Sequence, residues 1–528
     1  MSDSCGRRLY LNGASAEENS KTLTDQDTTF RIVYWDISCV AATARDMLAY
    51  GNATWTDESH KISTGWYSKI STPYKVLPLL NVIAPDSKEL VLSESIVIDQ
   101  YLAKKFNLLG DNEYEEWTIK AHYSNIHYLR ERSLMKMTWT WADKRAEALE
   151  LFLEKTLPDF IANHEFHLKG NGSNGHYVGD RLSLADIHLV NVMDHFSHLP
   201  NGERFTAKFA RSELLTKVRQ NVESNPQIAA WRASEEWEKF RNGSIETYAI
   251  TRPPPPSADD GEPKNNIMST TMINRRSFYN NVSSEENARI LTDPNPSYRL
   301  MYFDCASVAA TARDILAFGK ANWTNQCPTN AEWEDNKFPT PYRVMPLLNI
   351  IASDGKEAFL AESIVIDHYL AKKFHLLGDN EWEEQTIKAH YNNIHYLRER
   401  SFMCVTWTYA DKRKIALERF MKAALPAFIA AHEFHLRTNG SNGHYIGNKL
   451  SLADIHLVNV MDHFSHLPTG KLIAAEFEKS ELLSKVRKNV EANPEIAAWR
   501  STDEWKQLAH QSVVGYSVSA VPEEQGEA

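Results

Sequence analysis

The chain has 528 residues, 42% of them apolar and 24% charged, and its formal net charge is −11. This composition supplies apolar material for several cores, which excludes wholesale disorder. The acidic balance and the lack of a long basic run argue against nucleic acid or an anionic membrane surface as the main partner. No stretch approaches the roughly 20 apolar residues of a membrane helix, and the N-terminus lacks the apolar segment of a secretory signal.

Cysteine and histidine usage bounds the chemistry further. The five cysteines, at positions 5, 39, 305, 327 and 404, show neither paired spacing nor a CxxC motif. Because disulfides belong to oxidising compartments, this usage predicts a reduced, cytoplasmic protein. The recurring histidines, including His122, His164 and His167, form no consistent ligand set with cysteines or carboxylates, so no metal ion is predicted.

The sequence repeats one long unit. Residues 361–401 match residues 93–133 with only six differences in 41 positions. The offset of 268 residues is constant from Tyr34 and Tyr302 to Trp231 and Trp499. A long repeat without insertions indicates duplication of a folded unit, and we call the copies unit 1 and unit 2. Between them lies a segment with four consecutive prolines, typical of a stiff, extended linker.

Within unit 1, residues 31–35 predict a short strand, and residues 40–51 a helix ended by Gly51. After a polar, Trp-containing stretch, residues 71–84 and 88–92 predict two strands joined by a turn. A helix follows, because Ile98, Leu102 and Phe106 recur at helical spacing. The unit therefore begins with a small α/β block.

The remainder of each unit predicts helices. Residues 115–132 carry apolar side chains at helical spacing. Ser183 and Asp186 form a capping box that opens a later helix, and Asn225 with Pro226 starts a final short helix. One unit is thus an α/β domain followed by an all-α domain.

That order of elements, with certain motifs, resembles the cytosolic glutathione transferase family, and the start of each unit is most similar to its sigma class. The resemblance depends on a run ending in proline and followed by Glu-Ser, on a helical-domain capping box, and on a closing helix. These motifs are YKVLPL with Glu94-Ser95, YRVMPL with Glu362-Ser363, GDRLSLAD (179–186) and NPQIAAWRAS (225–234).

The resemblance implies two thioredoxin-like α/β domains, each followed by a helical domain. Family members form two-fold dimers, so we expect the two units to pair within one chain as a pseudo-dimer. The expected segments are an N-terminal extension (1–29), a thioredoxin-like domain (30–108), a helical domain (115–241), a Pro-rich linker (242–274), a repeated extension (275–297), a second thioredoxin-like domain (298–376), a second helical domain (383–510) and a disordered tail (511–528).

The resemblance also assigns contacts to glutathione, which would be the co-substrate. Pro78 and Pro346 would follow cis peptide bonds, so that Leu77 and Met345 present backbone groups to the cysteinyl part of glutathione. Taken alone, such a proline fits an ordinary turn, since about 5–6% of X–Pro bonds are cis.

The helix that follows each proline offers a second contact. Glu94 with Ser95, and Glu362 with Ser363, would place a hydroxyl and free N–H groups at a helix N-terminus, where a carboxylate binds well. A simple N-cap is the alternative interpretation of the serine.

Tyr34 and Tyr302 end the first strand of each unit, where Tyr-using classes of the family place the catalytic residue. A phenol that donates a hydrogen bond to the glutathione sulfur would favour the thiolate, which is the nucleophile. Packing alone is the alternative role. Ser38 is a rival in unit 1, because Ser-using classes place their catalytic residue there, but its counterpart in unit 2 is Ala306.

A tryptophan and a lysine line the glycyl end of glutathione in sigma-like members. Trp333 and Lys337 match them in unit 2, whereas unit 1 has Lys69 with a Trp66 shifted by one position. An arginine that sigma members keep near the catalytic tyrosine is replaced by valine in both units, at positions 40 and 308. This departure puts catalytic efficiency in doubt.

The second substrate would bind between domains, beside adaptable aromatic and methionine side chains (Met135, Trp139, Trp141, Tyr409). The same side chains could simply form core. The resemblance implies a glutathione S-transferase that conjugates glutathione to apolar electrophiles at two sites, with peroxide reduction as a side activity. The alternatives are a non-catalytic structural or storage protein, as lens crystallins of this family are, and a glutathione-dependent isomerase.

Overall fold

A computed structural model of the chain describes residue 10 and residues 13–62, 70–251, 274–279 and 282–520. Within these residues each unit contains a four-stranded sheet followed by a helical bundle. No helix among them combines the length and apolarity needed to cross a membrane.

Unit 1 contains four strands and eleven α-helices within its described residues. They are α1 (Ala16–Thr24), β1 (Thr29–Trp35), α2 (Ala42–Tyr50), β2 (Trp55–His60), β3 (Leu79–Ile83), β4 (Glu89–Ser93), α3 (Ser95–Lys105), α4 (Glu113–Ser133), α5 (Arg145–Leu151), α6 (Leu157–Gly170), α7 (Leu184–Ser197), α8 (Gly202–Phe209), α9 (Glu213–Glu223), α10 (Pro226–Arg232) and α11 (Glu235–Ala249).

Unit 2 repeats this order and adds one short helix, α14. Its elements are α12 (Ser284–Leu291), β5 (Ser297–Met301), α13 (Ala310–Phe318), β6 (Asn322–Gln326), α14 (Asn330–Glu334), β7 (Leu347–Ile351), β8 (Glu357–Ala361), α15 (Ser363–Lys373), α16 (Glu381–Ser401), α17 (Arg413–Arg419), α18 (Leu425–Thr438), α19 (Leu452–Ser465), α20 (Gly470–Glu478), α21 (Glu481–Glu491), α22 (Pro494–Ser501) and α23 (Asp503–Tyr516).

The sheet of unit 1 has the strand order β2-β1-β3-β4. β1 pairs with β2 in parallel and with β3 antiparallel, so the α/β block predicted from the sequence is present. Strand β2 was not predicted, because its sequence WTDESH is polar and alternates only weakly. It lies at the sheet edge, where partial exposure tolerates polar side chains. The sheet of unit 2 has the same topology.

Helix α7 shows how local sequence positions the helical domain. Ser183 accepts a hydrogen bond from the Asp186 N–H, and the Asp186 carboxylate accepts from the Ser183 N–H and hydroxyl. Asp186 also accepts from the Tyr177 N–H at 2.9 Å, which ties the preceding loop to the helix start. The predicted capping box is therefore confirmed, and it orders the loop as well as the helix.

Two expected boundaries are corrected by the structure. The linker predicted from residue 242 begins later, since α11 continues to Ala249, with Ser244 and Tyr248 buried. The tail predicted from residue 511 is helical as far as Tyr516. Each segment buries a serine and a tyrosine that hydrogen-bond to the loop after the first strand of its own unit, which offsets the entropy of ordering. Residues 252–273 and 521–528 lie outside the described residues.

The repeated extension forms a helix in each unit. α1 begins at a capping box between Ser15 and Glu18 and packs against α16 of unit 2, while α12 packs against α4 of unit 1. Tyr101 donates to the carbonyl of Leu23 at 2.9 Å and so ties α1 to its own sheet domain. The extension thus bridges a sheet domain and the helices of the opposite unit.

Histidines that recur in the sequence lie where the units meet. Tyr342 of unit 2 inserts among His122, His164 and His167 of unit 1, and its hydroxyl lies 2.6 Å from His122 Nδ1. Tyr74 of unit 1 inserts in the same way among His390, His432 and His435, with a hydrogen bond to His390. Burial lowers the pKa of five of them, His122, His164, His167, His390 and His432, so these five stay neutral.

Salt bridges between the units flank these contacts. Lys104 binds Glu381 at 2.6 Å, and Lys372 binds Glu113 at 2.6 Å in the symmetry-related position. The buried apolar side chains of unit 1 form one cluster with residues of unit 2, among them Trp382. Contacts between the units are therefore apolar, aromatic and ionic at once.

Candidate functional site

The prolines singled out in the sequence form matching loops just before β3 and β7. The Leu77–Pro78 and Met345–Pro346 peptide bonds are both cis, as the family resemblance implied. Leu77 and Met345 line one cavity of about 470 Å³, which we call the central cavity. The residues that the resemblance assigned to the cysteinyl part of glutathione therefore both border this cavity.

The helices that follow each β-hairpin begin at the same cavity. Glu94 and Glu362 have positive φ angles, 68° and 72°, and neither side chain caps its helix. Such backbone angles are costly for residues other than glycine and are typical of functional sites. The first N–H groups of α3 and α15 are left without a side-chain cap, and such groups favour an anion.

Residues of both units line the central cavity. Leu77, Glu94 and Ser95 of unit 1 line it together with Met345, Glu362 and Ser363 of unit 2. The structure thus brings the predicted contacts of both units into one space rather than into two remote clefts. The remaining lining is Val40, Val76, Ile96, Ser124, Asn125, His127, Tyr128, Glu131, Leu134, Met135 and, from unit 2, Val308, Val344, Ile364, Asn392, His395, Tyr396, Glu399 and Met403.

Each glutamate is held by the opposite unit. Glu94 accepts a hydrogen bond from Asn393 Nδ2 at 3.0 Å, and Glu362 accepts from Asn125 Nδ2 at 2.9 Å. Burial raises the pKa of both carboxyls to about 7, although the asparagine hydrogen bonds oppose that shift. The sequence interpretation missed both asparagines, because their partners lie far away along the chain.

The two predicted catalytic tyrosines have different surroundings. Tyr302 lines a cavity of about 510 Å³ between the sheet domain and α23. Burial raises its pKa to about 12, while Ser307 and the N–H of Val308 lower it. Tyr34 is 4% exposed and Tyr302 is 7% exposed, and burial raises the pKa of Tyr34 well above the ordinary value, with a further increase from Cys39. Both phenols are protonated at neutral pH and can donate a hydrogen bond.

Ser38, the rival catalytic residue, is engaged with the last helix of its own unit. Its hydroxyl lies 2.8 Å from the Ser244 hydroxyl, and its N–H donates to the carbonyl of Phe240 at 3.1 Å. In unit 2 the N–H of Ala306 makes the matching bonds, to Leu508 and Ser512. The Ser38 side chain therefore joins the loop to α11.

A buried arginine lies beside each tyrosine, and the sequence interpretation missed both. Arg130 and Arg398 are only 1–2% exposed on α4 and α16. Their positive charges lower the pKa of Tyr34 and Tyr302, against the larger effect of burial. Among the described residues Arg130 Nη1 has no hydrogen-bond partner. The available signal was the run LRERS, which is identical in both copies. A buried guanidinium is costly unless it is paired, so a buried arginine there indicates a specific role.

These arginines bear on the valines that replace the loop arginine of sigma members. The N–H of Val40 lowers the pKa of Tyr34, as that of Val308 does for Tyr302. Cations near each tyrosine are supplied by a helix of the second domain, through Arg130 and Arg398, and by α2 and α13 of the first, whose Arg45 and Arg313 lie 5.7 and 5.9 Å from the tyrosine rings.

The predicted contacts to the glycyl end of glutathione are not brought together with the others. Trp66 and Lys69 lie outside the described residues. Trp333 lies on α14 with its ring 5.8 Å from that of Phe303, and Lys337 is more than half exposed and 3.9 Å from Asp335. Neither is among the described residues that line the central cavity.

The side chains predicted for the second substrate lie together, but in a space that both units build. Met135, Trp139 and Trp141 of unit 1 line a cavity of about 1020 Å³ with Tyr409 of unit 2. Trp407 lines this cavity and the Tyr302 cavity as well. Apolar walls of this kind suit varied apolar ligands. Among the described residues no group of His, Cys, Asp and Glu is arranged to hold a metal ion.

Comparisons with known proteins bear on both units. The family model of the glutathione S-transferase C-terminal domain matches residues 131–235 and again residues 396–503. A curated relative, probable glutathione S-transferase 7 of Caenorhabditis elegans, is 29% identical over 210 residues, covering 39% of this chain and 96% of its own. Glutathione S-transferase S1 of Drosophila melanogaster is 26% identical over 204 residues, covering 38% of this chain and 77% of its own.

Solved structures give matches of similar extent. Prostaglandin synthase D of Nilaparvata lugens is 25% identical with a TM-score of 0.34, covering 39% of this chain and 98% of its own. A sigma class glutathione transferase of Fasciola hepatica is 19% identical with a TM-score of 0.34, covering 40% and 99%. Each relative therefore spans about one unit of this chain.

Proposed function

We propose that this chain, which belongs to the glutathione S-transferase family as a tandem duplication, is a glutathione transferase with two glutathione sites that open on the central cavity. One observation carries the proposal. Leu77 and Met345, which precede the cis prolines, line the same cavity as Glu94 and Glu362, where the next helices begin. The peptide backbone of glutathione needs hydrogen-bond partners. Its γ-glutamyl group needs an anion site for the carboxylate and a carboxylate of the protein for the ammonium group.

Each group has a separate task in this proposal. Leu77 and Met345 pair with the cysteinyl backbone of glutathione. The N–H groups and hydroxyls at Ser95 and Ser363 hold the γ-glutamyl carboxylate, and the carboxylates of Glu94 and Glu362 accept from its ammonium group. The exposed Lys337 with Trp333 remains a proposal for the glycyl end in unit 2, as Lys69 with Trp66 does in unit 1.

The chemistry follows from the protonation of the tyrosines. Because the pKa of Tyr302 is about 12, its phenol keeps its proton at neutral pH and donates a hydrogen bond to the glutathione sulfur. The thiol proton leaves to solvent, and the thiolate forms a bond to an electrophilic carbon as the leaving group departs with the bonding electron pair. Reduction of a peroxide by the same thiolate is a side activity of this proposal.

The electrophile in this proposal is apolar, and its site in unit 2 is the cavity between Tyr302 and Trp407. In unit 1 the last helix, α11, meets the loop after β1 closely at Gly243, where a Cβ atom would lie 2.0 Å from the carbonyl oxygen of Asp36. This close approach favours a second candidate function for unit 1 alone, namely glutathione binding without efficient turnover. A crystallin-like or isomerase function for the whole chain has no such specific support.

We also propose that the units pair within one chain as a pseudo-dimer in the cytoplasm. The insertions of Tyr74 and Tyr342 among histidines of the opposite unit support it. Sedimentation should give the mass of a single chain, and a larger obligate oligomer would contradict this pairing.

Turnover of an aryl halide with glutathione tests the catalytic proposal. Tyr302→Phe should remove most of the activity, Tyr34→Phe less, and the double variant should lose about tenfold or more, because a transition-state hydrogen bond is lost at each site. Calorimetry with glutathione is the control, since the phenylalanine variants should keep their affinity. Full activity in the double variant would contradict the tyrosine mechanism and direct attention to Ser38.

A further inference from the structure

A line of hydrogen bonds crosses from the core of unit 2 to Glu94 of unit 1. The Tyr445 hydroxyl lies 2.6 Å from His432 Nδ1, and His432 Nε2 lies 3.1 Å from Asn393 Oδ1. Asn393 Nδ2 then donates to Glu94 Oε1 at 3.0 Å. All of the first three side chains are buried, so solvent does not compete for these bonds.

The same line runs in the opposite direction between the units. The Tyr177 hydroxyl lies 2.6 Å from His164 Nδ1, and His164 Nε2 lies 3.1 Å from Asn125 Oδ1. Asn125 Nδ2 donates to Glu362 Oε1 at 2.9 Å. Two copies with matching distances show that the arrangement belongs to the fold and not to one side chain's packing.

The chemistry of these groups fixes the direction of every bond. His432 is neutral because burial holds its pKa well below the ordinary value, so one ring nitrogen donates and the other accepts. The carboxylate of Glu94 accepts, so the Asn393 amide presents its NH₂ group there and its oxygen towards His432. His432 therefore donates from Nε2 and accepts at Nδ1 from the Tyr445 hydroxyl.

This directionality turns the asparagine into a fixed support. An amide free to rotate could present either its oxygen or its NH₂ group to the glutamate, and the oxygen would repel the carboxylate. The histidine excludes that orientation, because only the amide oxygen can accept from Nε2. Asn393 thus keeps Glu94 oriented. Asn393 itself is not among the described residues that line the central cavity.

We propose that Asn393 and Asn125 are positioning residues that act across the interface, each orienting the glutamate of the opposite unit for the ammonium group of glutathione. This inference rests on the proposed function, in which Glu94 and Glu362 bind that group. It follows that each glutathione site is incomplete without the other unit. Fusion of the two units in one chain then keeps both sites supplied with their asparagine.

Other titratable groups face the two glutamates as well. Glu131, Tyr10, Tyr74 and Tyr396 interact with Glu94, and Glu399, Tyr342 and Tyr128 interact with Glu362. Glu131 and Glu399 disfavour the carboxylates of Glu94 and Glu362, whereas the asparagine hydrogen bond favours each of them. Loss of the asparagine therefore raises the glutamate pKa, so glutathione affinity falls near neutral pH and recovers at higher pH.

Calorimetric titration of the full chain with glutathione tests the inference, and a double-mutant cycle locates the effect. Asn125→Ala should weaken one of the two sites about tenfold, which is the usual loss for one hydrogen bond to a charged group. Asn125→Ala and Glu362→Gln should be non-additive, since they remove the same contact. Asn125→Ala and Glu94→Gln should be additive, since they affect different sites.

The pH profile separates positioning from a structural role. In Asn393→Ala the pH at which affinity is half-maximal should rise by about one unit for one site, and Tyr445→Phe should shift it in the same direction by less. Asn163→Ala is the matched control, because Asn163 also bonds across the interface, to Arg275 and to the Tyr342 carbonyl, and not to either glutamate. That variant should keep the wild-type profile.

The outcomes distinguish the two proposals. If the wild-type chain binds no glutathione, the proposed function fails and this inference fails with it. If glutathione binds but Asn125→Ala couples to Glu94→Gln instead of Glu362→Gln, only the cross-unit positioning is overturned. Equal shifts in the Asn163→Ala control would overturn it as well, because they would show a general effect of interface damage.

Discussion

The two units differ most in the loop that follows the first strand, although the elements beside the central cavity are nearly identical. In unit 1 the loop is closed by Ser38 with Ser244 and by Cys39 with Tyr248. Unit 2 keeps the second contact as Ser307 with Tyr516 at 2.7 Å but has Ala306 in place of Ser38, and its Tyr302 lines a cavity. Divergence between the units is therefore seen at this loop, whereas the residues that line the central cavity match closely between the units.

One glycine accounts for part of this difference. A Cβ atom built on Gly243 of α11 would lie 2.0 Å from the carbonyl oxygen of Asp36, so the helix and the loop meet backbone to backbone in unit 1. The matching residue in unit 2 is Gln511, which lines the Tyr302 cavity. There the strand ends earlier, at Met301. The unit that has a side chain here, Gln511, thus has the shorter first strand and the cavity beside its tyrosine.

The largest expected effect comes from the buried ion pair that only unit 1 has at this loop, within the described residues. Arg45 binds Asp57 at 2.7 Å with both side chains at most 2% exposed, whereas the matching Arg313 bonds to neutral Asn325. Asp57→Ala should cost about 3–5 kcal/mol of unfolding free energy because it leaves a buried charge unpaired. Asn325→Ala should cost about 1 kcal/mol.

Chemical denaturation measures the loss of unfolding free energy in each variant, and hydrogen exchange shows which elements lose stability. Amides of β1 should lose protection in Asp57→Ala, and those of β5 should lose little in Asn325→Ala. Equal losses in the two variants would show that the charge of Asp57 is not what distinguishes the loops.

The next effect concerns the close approach of α11. Gly243→Gln should push the helix off the loop, cost about 1–3 kcal/mol through steric displacement, and open unit 1 to the electrophile. Turnover of a bulky aryl halide should then rise in the Tyr302→Phe background, where unit 1 acts alone. Gln511→Gly provides the reciprocal control, which should not open unit 1. Unchanged turnover with intact stability would contradict the role assigned to Gly243.

The smallest effect concerns the buried arginine beside the tyrosine, which both units have. Arg130→Gln and Arg398→Gln should each raise the thiol pKa of bound glutathione by about one unit, or 1.4 kcal/mol, because a buried positive charge favours the thiolate. Thiolate absorbance measured against pH gives the value, and the lysine variants should restore most of it. A shift for Arg398 alone would sharpen the contrast between the units, and none for either would exclude this role.

The sequence by itself determined the duplication, the α/β-then-helical order of each unit and the motifs around Pro78, Ser95 and Ser183. These are local features, because hydrophobic periodicity and capping depend on neighbours a few residues away. Strand β2 was not predicted, because an edge strand needs little apolar character. The ends of α11 and α23 escaped because burial against a distant loop, and not local composition, orders them.

Only the tertiary structure decided which residues meet across the chain. The pairing of Asn393 with Glu94 joins positions 299 residues apart, and the arginine beside each tyrosine comes from another domain, so no local pattern announces either. Tyr34 and Tyr302 are equivalent in sequence and both are buried, yet Tyr302 lines a cavity that Gln511 also lines. Part of that difference follows from the last helix, which meets the loop backbone to backbone at Gly243 in unit 1 and carries the side chain of Gln511 at the matching position in unit 2.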